Sequence, residues 1–130
     1  MQIVGFTKEK DKNIVKAKYL EDISLLNKGY IKEFEKEQVI NYIEKGKSIY
    51  FLTLSLLDGD KYIGPYMILS DGVWLWPSHF SHYLKKLNFS NLDFRFLEYI
   101  RNTNYETTPL TQSEVKAVTV FLETELLNIK

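Results

Sequence analysis

His79 and His82 are the only two histidines of the chain, and they lie three residues apart. On a helix that spacing places both side chains on one side, where they could meet one ion. Zinc held this way needs a third and usually a fourth ligand, and the neighbouring helical positions carry Leu75, Trp76 and Lys86 rather than carboxylates. Surface or capping histidines account for the pair, so no metal ligand is assigned. The chain has no cysteine, which removes thiolate metal sites, thiol nucleophiles and disulfides together. No serine sits in a Gly-x-Ser-x-Gly elbow, and Ser78, close to both histidines, is explained as a helix cap. Asp71 and His79 could form an acid/base pair, but Asp71 is better explained by a turn. The six glycines, at 5, 29, 46, 59, 64 and 72, are scattered singly and build no phosphate cradle. No catalytic residue and no cofactor are therefore assigned.

The elements that must position these residues centre on Ile63 to Ile100. Asp71-Gly72 between two apolar runs suits a type I′ hairpin turn, in which both central residues take positive φ. That loop would pair Ser70 with Val73, Leu69 with Trp74, Ile68 with Leu75 and Met67 with Trp76. Met67, Leu69, Trp74 and Trp76 then share one face, and Ile68 and Leu75 the other. Both faces are apolar, which implies a ribbon covered on both sides or offering one side to a partner. Ser48 to Leu57 alternates as a further strand, with Tyr50, Leu52, Leu54 and Leu56 on one face, and Asp58-Gly59-Asp60 reads as a three-residue loop.

The spacing predicts helices on both sides of this meander. Before it, Ile14–Leu26 has moderate helical spacing, and a better helix begins at Lys32, buries Val39, Ile40 and Ile43, and stops at Gly46 in the C′ position. After it, Ser78 caps a helix burying Phe80, Tyr83, Leu84 and Leu87. Ser90 caps the next, with Asp93 at N3 and Phe89 and Phe94 as a staple. Thr111 and Glu114 form a capping box for a last helix running to about Leu127. Gln2 to Phe6 has the makings of a short strand. The expected fold is a single α+β domain spanning residues 1–130: a three-stranded antiparallel meander, strands near 48–57, 62–70 and 73–76, packed with four or five helices. Its expected core is Val39, Ile43, Leu52, Leu54, Ile68, Leu75, Phe80, Leu84, Phe96, Leu97, Ile100, Val118 and Leu122.

Composition narrows the function classes. Seventeen basic residues balance seventeen acidic ones, and no basic residue lies between Lys61 and Lys85, which speaks against direct nucleic-acid binding. An RNA-stacking face built on Tyr50, Trp74 and Trp76 would also need a different order of elements. The start lacks a basic flank followed by a long apolar run, and no apolar stretch is long enough to span a bilayer, so a cytoplasmic location with no membrane partner is expected. Aromatics make up 15% of the chain, a large share for a core of this size. Between Ser48 and Trp76 the charge is acidic: Asp58, Asp60 and Asp71 sit at turn tips beside a single lysine.

The run Gly64-Pro65-Tyr66, continuing Ile68-Leu69-Ser70-Asp71-Gly72-Val73-Trp74-Leu75-Trp76-Pro77-Ser78 and then Tyr83-Leu84-Lys85-Lys86, resembles small bacterial immunity proteins. These are encoded beside polymorphic toxins, including those of contact-dependent growth inhibition. The resemblance covers Ile63 to Ile100, and its most specific piece is Asp-Gly-x-Trp-x-Trp-Pro. It implies a cytoplasmic inhibitor that binds one toxin domain, with no catalytic residues attached. A nuclease is the toxin class whose basic cleft an acidic rim would suit.

The expected contact patch is Asp58, Asp60, Tyr62, Asp71, Trp76, His79 and His82, aromatics beside charged turn residues. The alternatives are a small metal- or acid/base-dependent enzyme and a ligand-binding accessory domain, either using the Trp/His region. Stoichiometric metal, or a histidine buried beside Asp or Glu in a pocket, would favour the enzyme. Charge reversal at Asp60 or Asp71 should weaken partner binding, measured by calorimetry, with the thermal midpoint unchanged.

Overall fold

The computed structural model describes residues 1–128, and its architecture is a mixed four-stranded sheet with helical layers on both faces. The elements are β1 (Gln2–Ile3), α1 (Lys8–Asp11), α2 (Lys36–Glu44), β2 (Lys47–Asp58), β3 (Lys61–Ser70) and β4 (Trp74–Pro77). Then follow α3 (Phe80–Lys86), α4 (Phe94–Asn102) and α5 (Gln112–Phe121), the last continued by a π-helical turn over Leu122–Leu126. The α+β class is as expected, but the sheet is not a three-stranded antiparallel meander. Its order is β1-β4-β3-β2, and β1 runs parallel to β4 through Gln2 N–H to Val73 O and Val4 N–H to Leu75 O. Two residues carry no periodicity, so the sequence gives no hint of this pairing.

The hairpin between β3 and β4 has the expected faces and a different register. Ser70 pairs with Leu75, Leu69 with Trp76 and Ile68 with Pro77, which makes Gly72-Val73 the loop instead of Asp71-Gly72. Gly72 takes φ +98° as the first residue of that loop, a left-handed conformation that suits glycine. Side-chain bonds select this loop. Asp71 Oδ1 accepts from the Val73 and Trp74 amides, while Ser70 Oγ accepts from Gly72 N–H and donates to Trp74 O. The shift is two residues, so every side chain keeps its face. The β2–β3 loop is likewise two residues, Gly59-Asp60, because Asp58 pairs with Lys61.

Both faces of the sheet are buried. Leu69, Trp74 and Trp76 pack with Val39, Ile43, Phe80, Leu84, Phe96, Leu97 and Ile100 from α2, α3 and α4. Tyr66, Ile68 and Leu75 pack on the opposite side with Phe6, Val15, Val118, Leu122 and Leu126. Trp76 fills its site tightly enough that a Cβ on Gly46 would lie 2.5 Å from its ring. Gly46 is therefore required for space, not for a left-handed C′ conformation, since its φ is not positive. Leu52 is half-buried against the second core, whereas Leu54 is 46% exposed instead of buried. Irregularities in the β2–β3 pairing between Ser48 and Tyr50 and between Leu52 and Ser55 break the alternation that would have turned Leu54 inward.

The capping box of α5 is present as expected: Thr111 Oγ1 accepts from Glu114 N–H, and Glu114 Oε1 from Thr111 N–H. Other caps differ. Ser78 Oγ accepts from Met67 N–H and donates to Pro65 O, stitching the end of β4 to β3 rather than capping α3. Asp93 is itself the N-cap of α4, accepting from Arg95 N–H, so Ser90 is no cap and exposed Phe94 makes no staple. Ile14–Leu26 is not a helix; only two short 3₁₀ turns form, Ala17–Tyr19 and Ile23–Leu25.

Glu35, in the 3₁₀ turn that leads into α2, is a buried carboxylate with a full set of partners. It accepts from Lys32 N–H, from Arg101 Nε and Nη2 and from the Tyr105 hydroxyl, tying α2 to α4. The Arg101 guanidinium holds the Glu35 carboxyl at about 2, from an ordinary 4.5. A depressed carboxyl contributes fully above its unfolded value, and the contribution is lost as pH falls through 4.5 towards 2. Arg101→Ala would leave the carboxylate buried without its counter-ion, and should cost about 3–5 kcal/mol in urea unfolding at pH 7. Replacing both partners by methionine should recover most of that loss.

Candidate functional site

The buried polar groups converge beside α3, in a cleft of about 280 Å³ between that helix and the N-terminal segment. Its geometry starts at Thr7-Lys8-Glu9-Lys10-Asp11. Thr7 Oγ1 caps α1 by accepting from Lys10 N–H, and Asp11 Oδ2 accepts in return from Thr7 N–H at 2.7 Å. This closed turn aims the Asp11 carboxylate, fully buried, at two distant elements. Tyr66 on β3 donates its hydroxyl to Asp11 Oδ1 at 2.6 Å. His79, at the N-cap of α3 and 2% exposed, places Nε2 at 3.0 and 3.1 Å from the two carboxylate oxygens. Burial together with the Asp11 charge raises the Tyr66 phenol, which keeps it a donor.

A carboxylate accepts hydrogen bonds, so His79 Nε2–H is the donor in the Asp11 contact. No group of the described residues bonds to the ring's Nδ1. The Tyr83 hydroxyl, one turn further along α3, and Asn91 Oδ1, in the α3–α4 connection, are also buried without a protein partner. All three residues line the cleft, together with Glu21 and an apolar wall that includes Ile23, Phe80 and Leu87. Gly5 lines it too, at φ +87°, where a Cβ would lie 2.8 Å from the Phe80 ring. Burial pushes the Glu21 carboxyl up from 4.5 to about 7, an effect only partly offset by the Gly5 amide.

The expected patch residues do not form one surface. Trp76 is fully buried and donates its indole N–H to Ile43 O, and His79 is buried against Asp11, so neither is available to a partner in the folded chain. Asp71 is committed to structure: one carboxylate oxygen accepts from Val73 and Trp74 N–H, the other from the Tyr42 hydroxyl. Reversing its charge would therefore disturb the fold, contrary to the expectation of an unchanged midpoint. Asp58 pairs with His82 Nε2 at 2.9 Å and with Lys86 at 2.7 Å, and these two hold its carboxyl at about 2. The ten-residue strand β3 separates the Asp58–Asp60 turn from Asp71 by roughly 30 Å at ~3.3 Å per residue. Asp60 and Tyr62 remain exposed and close together.

The two histidines thus face different partners instead of one ion. Among the described residues no three His, Asp or Glu side chains gather to hold a metal. Asp11, Tyr66, Glu21, Tyr83 and Asn91 were not singled out as site residues by sequence. Asp11 looks like one more surface acid in a charged segment, and only its spacing from Thr7 hints at a closed turn. No helix of the described residues is long and apolar enough to cross a membrane. Comparison with protein-family models, with curated proteins and with solved structures gave no match to this chain.

Glu21 sets a pH dependence. Its folded value lies above its unfolded one, so the folded chain holds the extra proton between 4.5 and about 7. Stability from this group therefore falls as pH rises through that window. Glu21→Gln should remove this slope, making the variant the more stable protein at pH 8 in urea unfolding and narrowing the difference at pH 5.

Proposed function

We propose that the chain is an immunity-type binding protein that captures a toxin domain through the outer end of the β2–β3 ribbon. The observation that carries this reading is an apolar cluster at that end. Leu57 on β2 and Tyr62 on β3 are cross-strand partners, 46% and 59% exposed, flanking the loop that carries Asp60. Leu54 and Phe51, further along β2, are exposed as well. A tyrosine and aliphatic side chains beside a charged loop have the composition of a contact hot spot. Because β2 is an edge strand with irregular pairing, open-ended strand addition is disfavoured and side chains supply the contact. The similarity to immunity proteins over Ile63–Ile100 supports the same reading, and inhibition needs a stable surface rather than reactive groups. With Asp58 neutralised by its partners, Asp60 is what remains of the acidic rim that would suit a basic nuclease cleft.

A second reading, a ligand-binding or acid/base domain, is favoured by one observation: His79 is buried beside Asp11 in a cleft. The two readings occupy adjoining surfaces, since Lys10 Nζ donates to Leu57 O and Asp58 lines the cleft.

Tyr62→Ala and Asp60→Lys should each weaken binding to the toxin domain encoded beside the protein by about 1–3 kcal/mol, measured by calorimetry. The thermal midpoint should stay unchanged, and cells expressing the toxin should lose protection. Normal binding by both variants, with protection abolished by charge reversals on α2 or α5, would place the interface elsewhere.

A further inference from the structure

As a piece of sheet, the outer end of the β2–β3 ribbon is weakly built. β4 and Ser78 bond to β3 only from Pro65 inward, so beyond Pro65 the ribbon has two strands, and a two-stranded hairpin is marginal on its own. Its ladder is interrupted as well, with register shifts between Leu52 and Ser55 and between Leu56 and Leu57. Pro65, opposite Ser55, has no N–H to give. Gly64 takes φ +136°, which glycine adopts readily, and nothing lies within 4 Å of the place a Cβ would occupy. Leu56 and Ile63 pack on the second core and anchor the base of this end. The tip beyond them turns Leu57 and Tyr62 to solvent.

Side chains from two helices nevertheless tie the tip down. Among the described residues, the hydrogen bonds that reach Leu57–Tyr62 from outside the ribbon come from Lys10, His82 and Lys86. Lys10 Nζ of α1 donates to Leu57 O at 2.8 Å. On α3, His82 Nε2 lies 2.9 Å from Asp58 Oδ2, and Lys86 Nζ donates to both oxygens of the same carboxylate at 2.7 and 2.9 Å. Tyr83 is the common base of these donors. The His82 ring stands edge-on to it with centroids 4.9 Å apart, and Lys10 and Lys86 Nζ each lie 5.9 Å from its ring centre. An isolated exposed ion pair contributes little, because ordering two long side chains offsets the attraction. Here the donors share one aromatic support and converge on one short segment, and a network of this kind holds where a single pair does not.

We propose that His82 and Lys86 are positioning residues for the ribbon end, holding Leu57, Asp60 and Tyr62 in one arrangement before a partner arrives. Their part in binding rests on the function proposed above; the clamp itself does not. Asp58 is the link, since it pairs with Lys61 across the turn and adjoins the cross-strand pair Leu57–Tyr62. A partner captures only those molecules whose tip is already in place, so the apparent dissociation constant is the intrinsic one divided by that fraction. A tip in place about one-tenth of the time binds about tenfold more weakly with every contact residue intact.

The test is backbone ¹⁵N relaxation of the whole chain, wild type against the double variant Lys86→Met/His82→Leu, with Lys86→Arg as the conservative control. Order parameters at Gly59–Tyr62 should fall from about 0.85 to below about 0.6 in the double variant. Those at Met67–Leu69, in the same ribbon, should stay rigid and show that the chain is folded. Lys86→Arg should keep the tip ordered. Binding to the toxin domain encoded beside the protein should weaken about tenfold in the double variant and be retained in Lys86→Arg. A tip that stays ordered in the double variant overturns the proposal, whether or not binding falls. A loosened tip with unchanged toxin affinity overturns the positioning role as well. A wild type that captures no toxin domain, with the tip loosened in the variant, refutes the proposed function and leaves the clamp standing.

Discussion

The buried Asp11 carboxylate is the constraint on which much of this structure depends. A carboxylate taken out of water costs several kcal/mol unless its lone pairs are matched, and the cost is met here by groups from three places in the chain. The Thr7 amide comes from the same turn, the Tyr66 hydroxyl from 55 residues away and His79 Nε2 from 68 residues away. None can leave without stranding the charge. The N-terminal segment, the central strand β3 and the start of α3 are therefore fixed relative to one another by one side chain. The orientation of the His79 ring follows from that arrangement.

The sheet sets the second constraint. Its central strands are apolar on both faces, so they are stable only when each face is covered. Helices α2 to α4 cover the Trp74–Trp76 face, and α5 with Phe6 and Val15 covers the Ile68–Leu75 face. The N-terminal segment has little regular structure because it works as a cover, held by isolated bridges such as Thr7 to Glu21 and by the Gly29 amide on Leu92 O. Where that cover meets α3, polar groups face one another across a gap, and the cleft lies there. At the outer edge, the β2–β3 ribbon leaves Phe51, Leu54, Leu57 and Tyr62 exposed.

Features governed by local chemistry were legible in the sequence. The Thr111–Glu114 capping box marks the start of α5 despite the strand-like Val118-Thr119-Val120, because a reciprocal pair of backbone bonds outweighs a weak local preference. The two-sided burial of the β3–β4 ribbon was legible as well, since a two-residue register shift leaves face assignments untouched. The register itself was not, because the Ser70 and Asp71 side chains, rather than the turn residues alone, select the loop. Leu54 was misplaced for a similar reason: irregular strand pairing leaves no trace in an alternating pattern. The candidate site was hidden almost wholly. Asp11 and Tyr66 are unremarkable where they stand, and His79 stood out only beside His82 and Asp71, neither of which it meets; its meeting with Asp11 and Tyr66 is a property of the topology. Trp76 and Asp71 looked like contact residues because aromatics and turn acids are common in interfaces; here both are consumed by the fold.

The His79 Nε2–H closes the buried Asp11 network, and a long-range ¹H–¹⁵N NMR spectrum of the imidazole reports it directly. With Nε2 donating to Asp11, the free protein should show a protonated-type Nε2 shift with slow exchange of the Nε2 proton. An Nε2 without its proton, or shifts averaged over both tautomers with fast exchange, would contradict the buried Asp11–His79 contact on which the account is built.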